Sequence, residues 1–157
     1  MAQAPFKLVV FDLDFTVWDA GGVWCDCLEP PFRKESGKVV DSRGSVVLVY
    51  DGIQRALRLL NDLGVPIAIA SRTTRPDWAR TLLDLLELRA FFSYEEIYPS
   101  SKVRHFEALR RDSGVDYEEM LFFDDESRNI VEVSELGVKA VLVREGFSPA
   151  LFGQAFR

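Results

Sequence analysis

The sequence predicts an α/β fold, a doubly wound three-layer sandwich with helices on both faces of a central, mainly parallel sheet. Three observations carry that expectation. Short apolar runs, KLVVF (7–11), VPIAIA (65–70), MLFF (120–123) and VKAVLV (138–143), alternate with stretches of helical period. The runs are continuously apolar, as strands buried on both faces must be. Two of them end abruptly in carboxylates, at Asp12 and at Asp124.

The elements follow in order. KLVVF is the first strand. Residues 19–50 are irregular, broken by EPP, SG and RG, but KVVD and SVVLV flank SRG and predict a small hairpin. Ile53, Ala56, Leu57, Leu60 and Leu63 share one face of a helix that Gly64 ends. VPIAIA is the second strand. Trp78, Leu82, Leu85 and Leu86 form the next helical stripe, with Pro76 near its start. YEEIYP (94–99) is a short third strand, and Val103, Phe106 and Leu109 mark a third helix. MLFF is the fourth strand, residues 127–136 a helix with Ile130 and Val133 inward, and VKAVLV the fifth strand. Ser148-Pro149 is an N-cap and N1 pair that opens a last short helix.

The 157 residues suggest one domain, 1–157, with 19–50 as a flap inserted in it. At this length folding buries roughly two thirds of the extended-chain surface, so a full core forms without staples. A net charge of −6 and a pI of about 4.9 argue against a nucleic-acid surface, which needs clustered Lys and Arg. There is no apolar run of about 18 residues to span a membrane. The start, MAQAPFK, lacks the charged region and apolar stretch of a secretion leader. Cys25 and Cys27 are too few for a disulfide framework. The expectation is a cytoplasmic enzyme or binding domain, monomeric by default, with neither nucleic acid nor membrane as partner.

In doubly wound sheets the site lies at the carboxyl edge of the strands, near the reversal of strand order. That places chemistry just after residues 11, 70, 98 and 123. Those ends carry Asp12, Asp14 and Thr16; Ser71, Arg72 and Thr73; Lys102; and Asp124, Asp125 and Glu126. Aspartates converging in a low dielectric repel one another unless a cation lies among them. The donors on offer are oxygens, without His or Cys, which points to Mg²⁺ rather than zinc. Ser71 can donate its hydroxyl to a phosphate, helped by amides at a turn into a helix. Lys102 reads as a mobile point charge suited to phosphoryl transfer. Arg72 can clamp a substrate or pair with an acid, and the residues do not choose.

With these motifs on the page, the chain resembles the haloacid dehalogenase superfamily. DLDFT resembles its D-x-D-x-T motif, ASRT its second motif, Lys102 its third and FFDDE its fourth, in order across residues 7–143. FDLDFTVW, GVPIAIASRT, EIYPSSKVRHFE and FFDDESRNI resemble more closely its magnesium-dependent phosphatase group. The resemblance implies a Rossmann-like core and Mg²⁺-dependent phosphomonoester hydrolysis. It implies Asp12 as a nucleophile that forms an aspartyl-phosphate and Asp14 as the carrier of the leaving-group proton. It further implies Mg²⁺ held by Asp12, the Asp14 carbonyl and Asp125, with Asp124 as a ligand or a support. The cation is expected between Asp12, Asp14 and Asp125. Ser71 and Lys102 would hold the phosphoryl group, and Thr16 would satisfy the turn backbone or Asp12. Asp14 itself favours phosphate esters, because halide release needs no proton.

The segment from Asp19 to Tyr50 is long enough for a hairpin flap but not for a large cap, so an open site is expected. An open site admits a phosphoprotein side chain or a small phosphorylated molecule, and the group is associated with phosphotyrosine and with sugar and fructosamine phosphates. Phe15, Trp18, Trp24 and Phe32 either face a substrate ring or pack in the core. Cys27 and Arg33 have the C-x5-R spacing of cysteine phosphatases, but Pro30 and Pro31 supply no N–H to a phosphate loop. His105 is expected to pack or to lie on a helix surface. Two rival readings are a phospho-accepting receiver domain, whose acidic motifs come in a different order, and a non-catalytic phosphate-binding protein.

Overall fold

The computed structural model describes residues 4–157, so the reading of MAQAPFK falls partly outside the described residues. In chain order the elements are β1 (Leu8–Phe11), β2 (Trp18–Asp19), β3 (Arg33–Glu35), β4 (Lys38–Val40), β5 (Val46–Val49), α1 (Ile53–Asp62), β6 (Ile67–Ser71), α2 (Pro76–Leu85), β7 (Tyr94–Ile97), α3 (Lys102–Ser113), β8 (Met120–Asp124), α4 (Ser127–Ser134), β9 (Lys139–Leu142) and α5 (Pro149–Ala155). No helix among the described residues is long and apolar enough to cross a membrane.

The main sheet has five parallel strands in the order β7-β6-β1-β8-β9. Strand order therefore reverses between β1 and β8. Strand alternation sorts side chains into two cores. Val9, Phe11, Ile67, Ile69, Leu121 and Phe123 pack with the inner faces of α1, α2 and α5. Leu8, Val10, Ala68, Ala70, Met120 and Phe122 pack with Phe106 and Leu109 of α3 and Val133 of α4. This is the three-layer α/β sandwich.

Several boundaries differ from the sequence reading for identifiable reasons. The second strand begins at Ile67 rather than residue 65, since Pro66 has no N–H for the ladder. The third ends at Ile97, two residues before the expected 99, where Pro99 likewise lacks an N–H. Helix α1 stops at Asp62, which leaves Leu63 51% exposed rather than on the buried stripe.

The larger difference is the flap. The KVVD/SVVLV hairpin forms as β4 and β5, but it belongs to a four-stranded antiparallel sheet, β2-β5-β4-β3. Strand β3 is Arg-Lys-Glu and fully exposed, so it has no apolar alternation to detect. The turn between β3 and β4 is Ser36-Gly37, both at positive φ (53° and 79°), as a two-residue hairpin turn requires. Asp41 organises the sheet's other end: its buried carboxylate accepts from the amides of Glu29, Arg43 and Ser45 at 2.8–3.0 Å.

One glycine lets the start of α1 approach the start of α5 closely. Gly52 caps α1 at φ 87°, and a Cβ there would lie 2.7 Å from the Pro149 ring of α5. We expect Gly52→Ala to lower stability by about 2 kcal/mol, through strain and overpacking together, in a urea titration.

Candidate active site

The alternation that sorts the core also aims the charged residues. The ladder runs one residue past β1, where the Asp12 amide donates to the Phe123 carbonyl at 3.0 Å. Asp12 follows Leu8 and Val10 in the two-residue period, and Asp124 follows Met120 and Phe122. Both therefore turn toward α3. Lys102, the first residue of α3, enters between them: Nζ lies 3.0 Å from Asp12 Oδ1 and 3.1 Å from Asp124 Oδ2, and it also donates to the Ala70 carbonyl. Lys102 is 1% exposed, so it is a fixed buried charge and not the mobile one expected.

Asp12, Asp124 and Asp125 can each offer an oxygen within 4.8 Å of the others'. The cluster has three carboxylates and one ammonium, which contacts Asp12 and Asp124. Burial pushes Asp12 well above the usual carboxylate range; Lys102 opposes this, and the charges of Asp124 and Asp125 add to it. Burial also lifts Asp125, to about 6, with a hydrogen bond from Asp12 opposing and Asp124 reinforcing. Burial alone would lower Lys102, but Asp12 and Asp124 outweigh it and keep the ammonium charged.

The Asp124 carboxylate is already engaged. Oδ1 accepts from the Glu126 amide at 2.9 Å, and Oδ2 accepts from Asn129 Nδ2 at 3.1 Å beside Lys102. Asp12 and Asp125 line the cavity at the sheet edge whereas Asp124 does not, so these two are the better placed of the three to take a cation. A surplus of carboxylate charge and an all-oxygen donor set suit a hard divalent ion such as Mg²⁺.

Asp14 occupies a different environment. The amides of Thr16, Val17 and Trp18 all point at the Leu13 carbonyl, and Phe15 takes φ 62°, so the chain coils tightly after Leu13. Leu13 is buried in the core. Asp14 Oδ1 accepts from Trp18 Nε1 at 2.8 Å and from the Cys25 amide at 2.9 Å. Its side chain groups with Cys25 and Asp26, not with the other aspartates. The Asp14 side chain is thus turned away from Asp12 and Asp125, and the ligand that the resemblance implies at Asp14 is its backbone carbonyl. Burial raises the Asp14 carboxyl, against the hydrogen bonds from Trp18 and Cys25. Thr16 Oγ1 donates to Asp12 Oδ2 at 3.3 Å.

Ser71 is the last residue of β6 and is 3% exposed; its Oγ accepts from the Thr73 amide at 3.3 Å. It is no helix cap, because α2 starts only at Pro76. Arg72 Nη1 donates to Asn129 Oδ1 at 3.1 Å, which fills the choice left open between acid and substrate with an amide. Asp12, Asp14, Ser71, Arg72 and Asp125 all line one cavity of about 240 Å³ at the sheet edge, with Lys102 buried behind it.

Thr73 and Trp24, the latter 55% exposed and so not in the core, also stand at the cavity wall, together with Asp26, Thr74, Arg128 and Asn129, which the sequence did not single out. Asn129 had a signal: it shares the inward face of α4 with Val133, four residues on, where a polar residue needs a reason. Asp26 had none. Trp18 is buried, and Phe32 packs edge-on against Trp78 with centroids 6.0 Å apart. Cys27 is exposed, while Arg33 pairs with Glu35 at 2.7 Å, so the C-x5-R spacing builds no phosphate loop. His105 is buried against Tyr98, with Nε2 2.9 Å from the Tyr98 carbonyl; burial, then the Lys102 charge, lowers it to about 4.

The chain is similar to known phosphatases and related hydrolases. The family model for Acid Phosphatase matches residues 4–157. The human protein named Magnesium-dependent phosphatase 1 is 47% identical over 150 residues, covering 94% of this chain and 83% of the relative. A HAD-like hydrolase superfamily protein of Schizosaccharomyces pombe is 39% identical over 145 residues, covering 84% and 82%. Among solved structures, a haloacid dehalogenase-like hydrolase of Streptococcus pneumoniae superposes with a TM-score of 0.67 at 14% identity, covering 96% of this chain and 91% of that one. The N-terminal part of a Bacteroides fragilis protein, a phosphatase domain complexed with Mg, gives 0.63 at 17% identity; it matches 87% of this chain, which spans 35% of that one. The chain belongs to the acid phosphatase family and, within the haloacid dehalogenase superfamily, to its magnesium-dependent phosphatase group.

Proposed function

We propose that this magnesium-dependent phosphatase hydrolyses phosphate monoesters through an aspartyl-phosphate on Asp12. The observation that carries this reading is the separation of the two carboxylates of DLDFT. Asp12 faces Lys102 and the acidic cluster, Asp14 faces Trp18 and the flap, and both line one cavity. Two carboxylates in unlike environments can take unlike roles.

Asp12, Asp125 and the Asp14 carbonyl would hold Mg²⁺, which would supply positive charge to offset the carboxylates and polarise a phosphoryl oxygen. The Asp12 carboxylate, whose ionised form the Lys102 charge favours against the effect of burial, attacks phosphorus as the ester P–O bond breaks. Asp14, whose burial favours the acid form, gives its proton to the leaving oxygen. It then takes a proton from the water that attacks phosphorus, and the bond from phosphorus to Asp12 breaks, releasing phosphate. The Ser71 hydroxyl, its oxygen held by the Thr73 amide, donates to a phosphoryl oxygen. Lys102 orients Asp12 and balances charge from behind.

The substrate class is phosphotyrosine-type side chains or sugar and fructosamine phosphates. An open cleft with a half-exposed indole on its wall supports a flat or ring-bearing leaving group. A panel of phosphopeptides and phosphometabolites ranked by kcat/KM decides between the two, and a panel without turnover would sink the reading.

Three outcomes test the chemistry. Purified protein with Mg²⁺ should hydrolyse p-nitrophenyl phosphate and stop on chelation, and Asp12→Asn should leave no measurable turnover; an active Asp12→Asn protein would remove Asp12 from its role. Protons and Mg²⁺ compete for Asp125, whose carboxyl titrates at about 6, so Mg²⁺-induced thermal stabilisation should be larger at pH 7.5 than at pH 5. Equal shifts at both values would count against Asp125 as a ligand. Lys102→Met strands buried carboxylates, so the metal-free protein should lose about 3 kcal/mol or more in urea titration.

A further inference from the structure

The flap meets the catalytic edge through two consecutive residues. Cys25, Asp26 and Cys27 form one 3-10 turn. The Cys25 amide donates to Asp14 Oδ1 at 2.9 Å. The next side chain reaches the other way. Asp26 Oδ1 accepts from Thr73 Oγ1 at 2.6 Å, and Oδ2 accepts from the Thr74 amide at 2.8 Å and from Thr74 Oγ1 at 2.5 Å. Thr73 Oγ1 in turn accepts from the Arg75 amide at 3.1 Å, so the loop after β6 is itself braced. The turn thus joins Asp14 to the Ser71–Thr74 loop beyond the ends of the paired strands β1 and β6.

Three charge-assisted bonds on one carboxylate are far more than a solvated surface aspartate makes. Burial would raise the Asp26 carboxyl, but the hydrogen bonds from Thr73 and Thr74 outweigh it and hold it below the usual range. Among the described residues Asp14 Oδ1 accepts from Trp18 Nε1 and from the Cys25 amide. Trp18 belongs to its own tight turn, whereas the Cys25 amide is available only while the flap turn is seated.

We propose that Asp26 is a positioning residue of the phosphatase reaction: its carboxylate latches the flap onto the Ser71–Thr74 loop and so fixes the Cys25 amide that aims Asp14 at the leaving group. This rests on the reading of Asp14 as proton carrier. Displacing the turn by about 1 Å breaks a 2.9 Å hydrogen bond and misaligns the acid, a fault that costs turnover most where the leaving group most needs a proton.

The test compares two aryl phosphates on the Mg²⁺-loaded protein. Phenolate is a stronger base than p-nitrophenolate, so phenyl phosphate depends more on the acid. Asp26→Ala should lower kcat on phenyl phosphate about tenfold more than on p-nitrophenyl phosphate, with KM changing less. Thr74→Val, at an exposed position, should move the same ratio in the same direction by less. Because both act through one latch, the double variant should be no worse in ratio than Asp26→Ala alone. A purely structural role would lower both substrates alike, and an unchanged ratio in Asp26→Ala and Thr74→Val overturns the proposal. If Asp26→Ala does not fold, Asp26→Asn and Thr74→Val carry the same comparison. Asp14→Asn separates the two readings. A selective loss on phenyl phosphate there, with the parent ratio kept in Asp26→Ala, overturns the latch alone. No selective loss in Asp14→Asn overturns the role of Asp14 and the latch with it.

Discussion

The ammonium of Lys102, buried among carboxylates at the ends of two adjacent strands, is the constraint on which the site depends. A lone charge at 1% exposure is costly, and so is each carboxylate beside it. The arrangement holds because each satisfies the other, and because the surplus negative charge suits a cation. It also demands a topology. Asp12 and Asp124 meet only if β1 and β8 are neighbours, and Lys102 reaches them only if α3 starts at that edge on that face. The reversal of strand order between β1 and β8 is what opens the crevice there.

Around that centre the protein divides labour by environment more than by residue type. Asp12 and Asp14 are the same residue two positions apart, yet one is turned to a lysine and the other to an indole and an amide. The tight turn after Leu13 produces the split, and the buried Leu13 side chain anchors it. The flap then contributes without being a cap. The connection between β2 and β3 supplies Trp24 to the cavity wall and brings Cys25 and Asp26 to the two sides of the cleft.

The fold was largely legible because its signals are local. Continuous apolar runs separated by helical stripes define parallel strands and crossover helices at nearly their observed bounds, with prolines trimming two of the strands. The flap was half legible. Strand β4 and strand β5 carry valines, whereas β3 is three exposed charged residues held by a turn and by pairing, and exposure leaves no hydrophobic imprint. The cavity was legible where carboxylates interrupt apolar strands, as at Asp12 and Asp125. It was silent at Asp26, whose importance comes from donors 47 and 48 residues away in the chain.

By itself, then, the sequence determined the class of fold, the edge where the chemistry lies and the acidic, oxygen-only character of the site, since each follows from residue type and short-range period. Tertiary structure alone decided which aspartate faces which partner. It turned Lys102 from a mobile surface charge into a buried one, engaged Asp124 with Asn129 and Lys102, and set Asp14 apart from the acidic cluster. The reason is physical: charge and hydrogen-bond partners act over a few ångströms of space, and the elements that bring those groups together lie far apart along the chain.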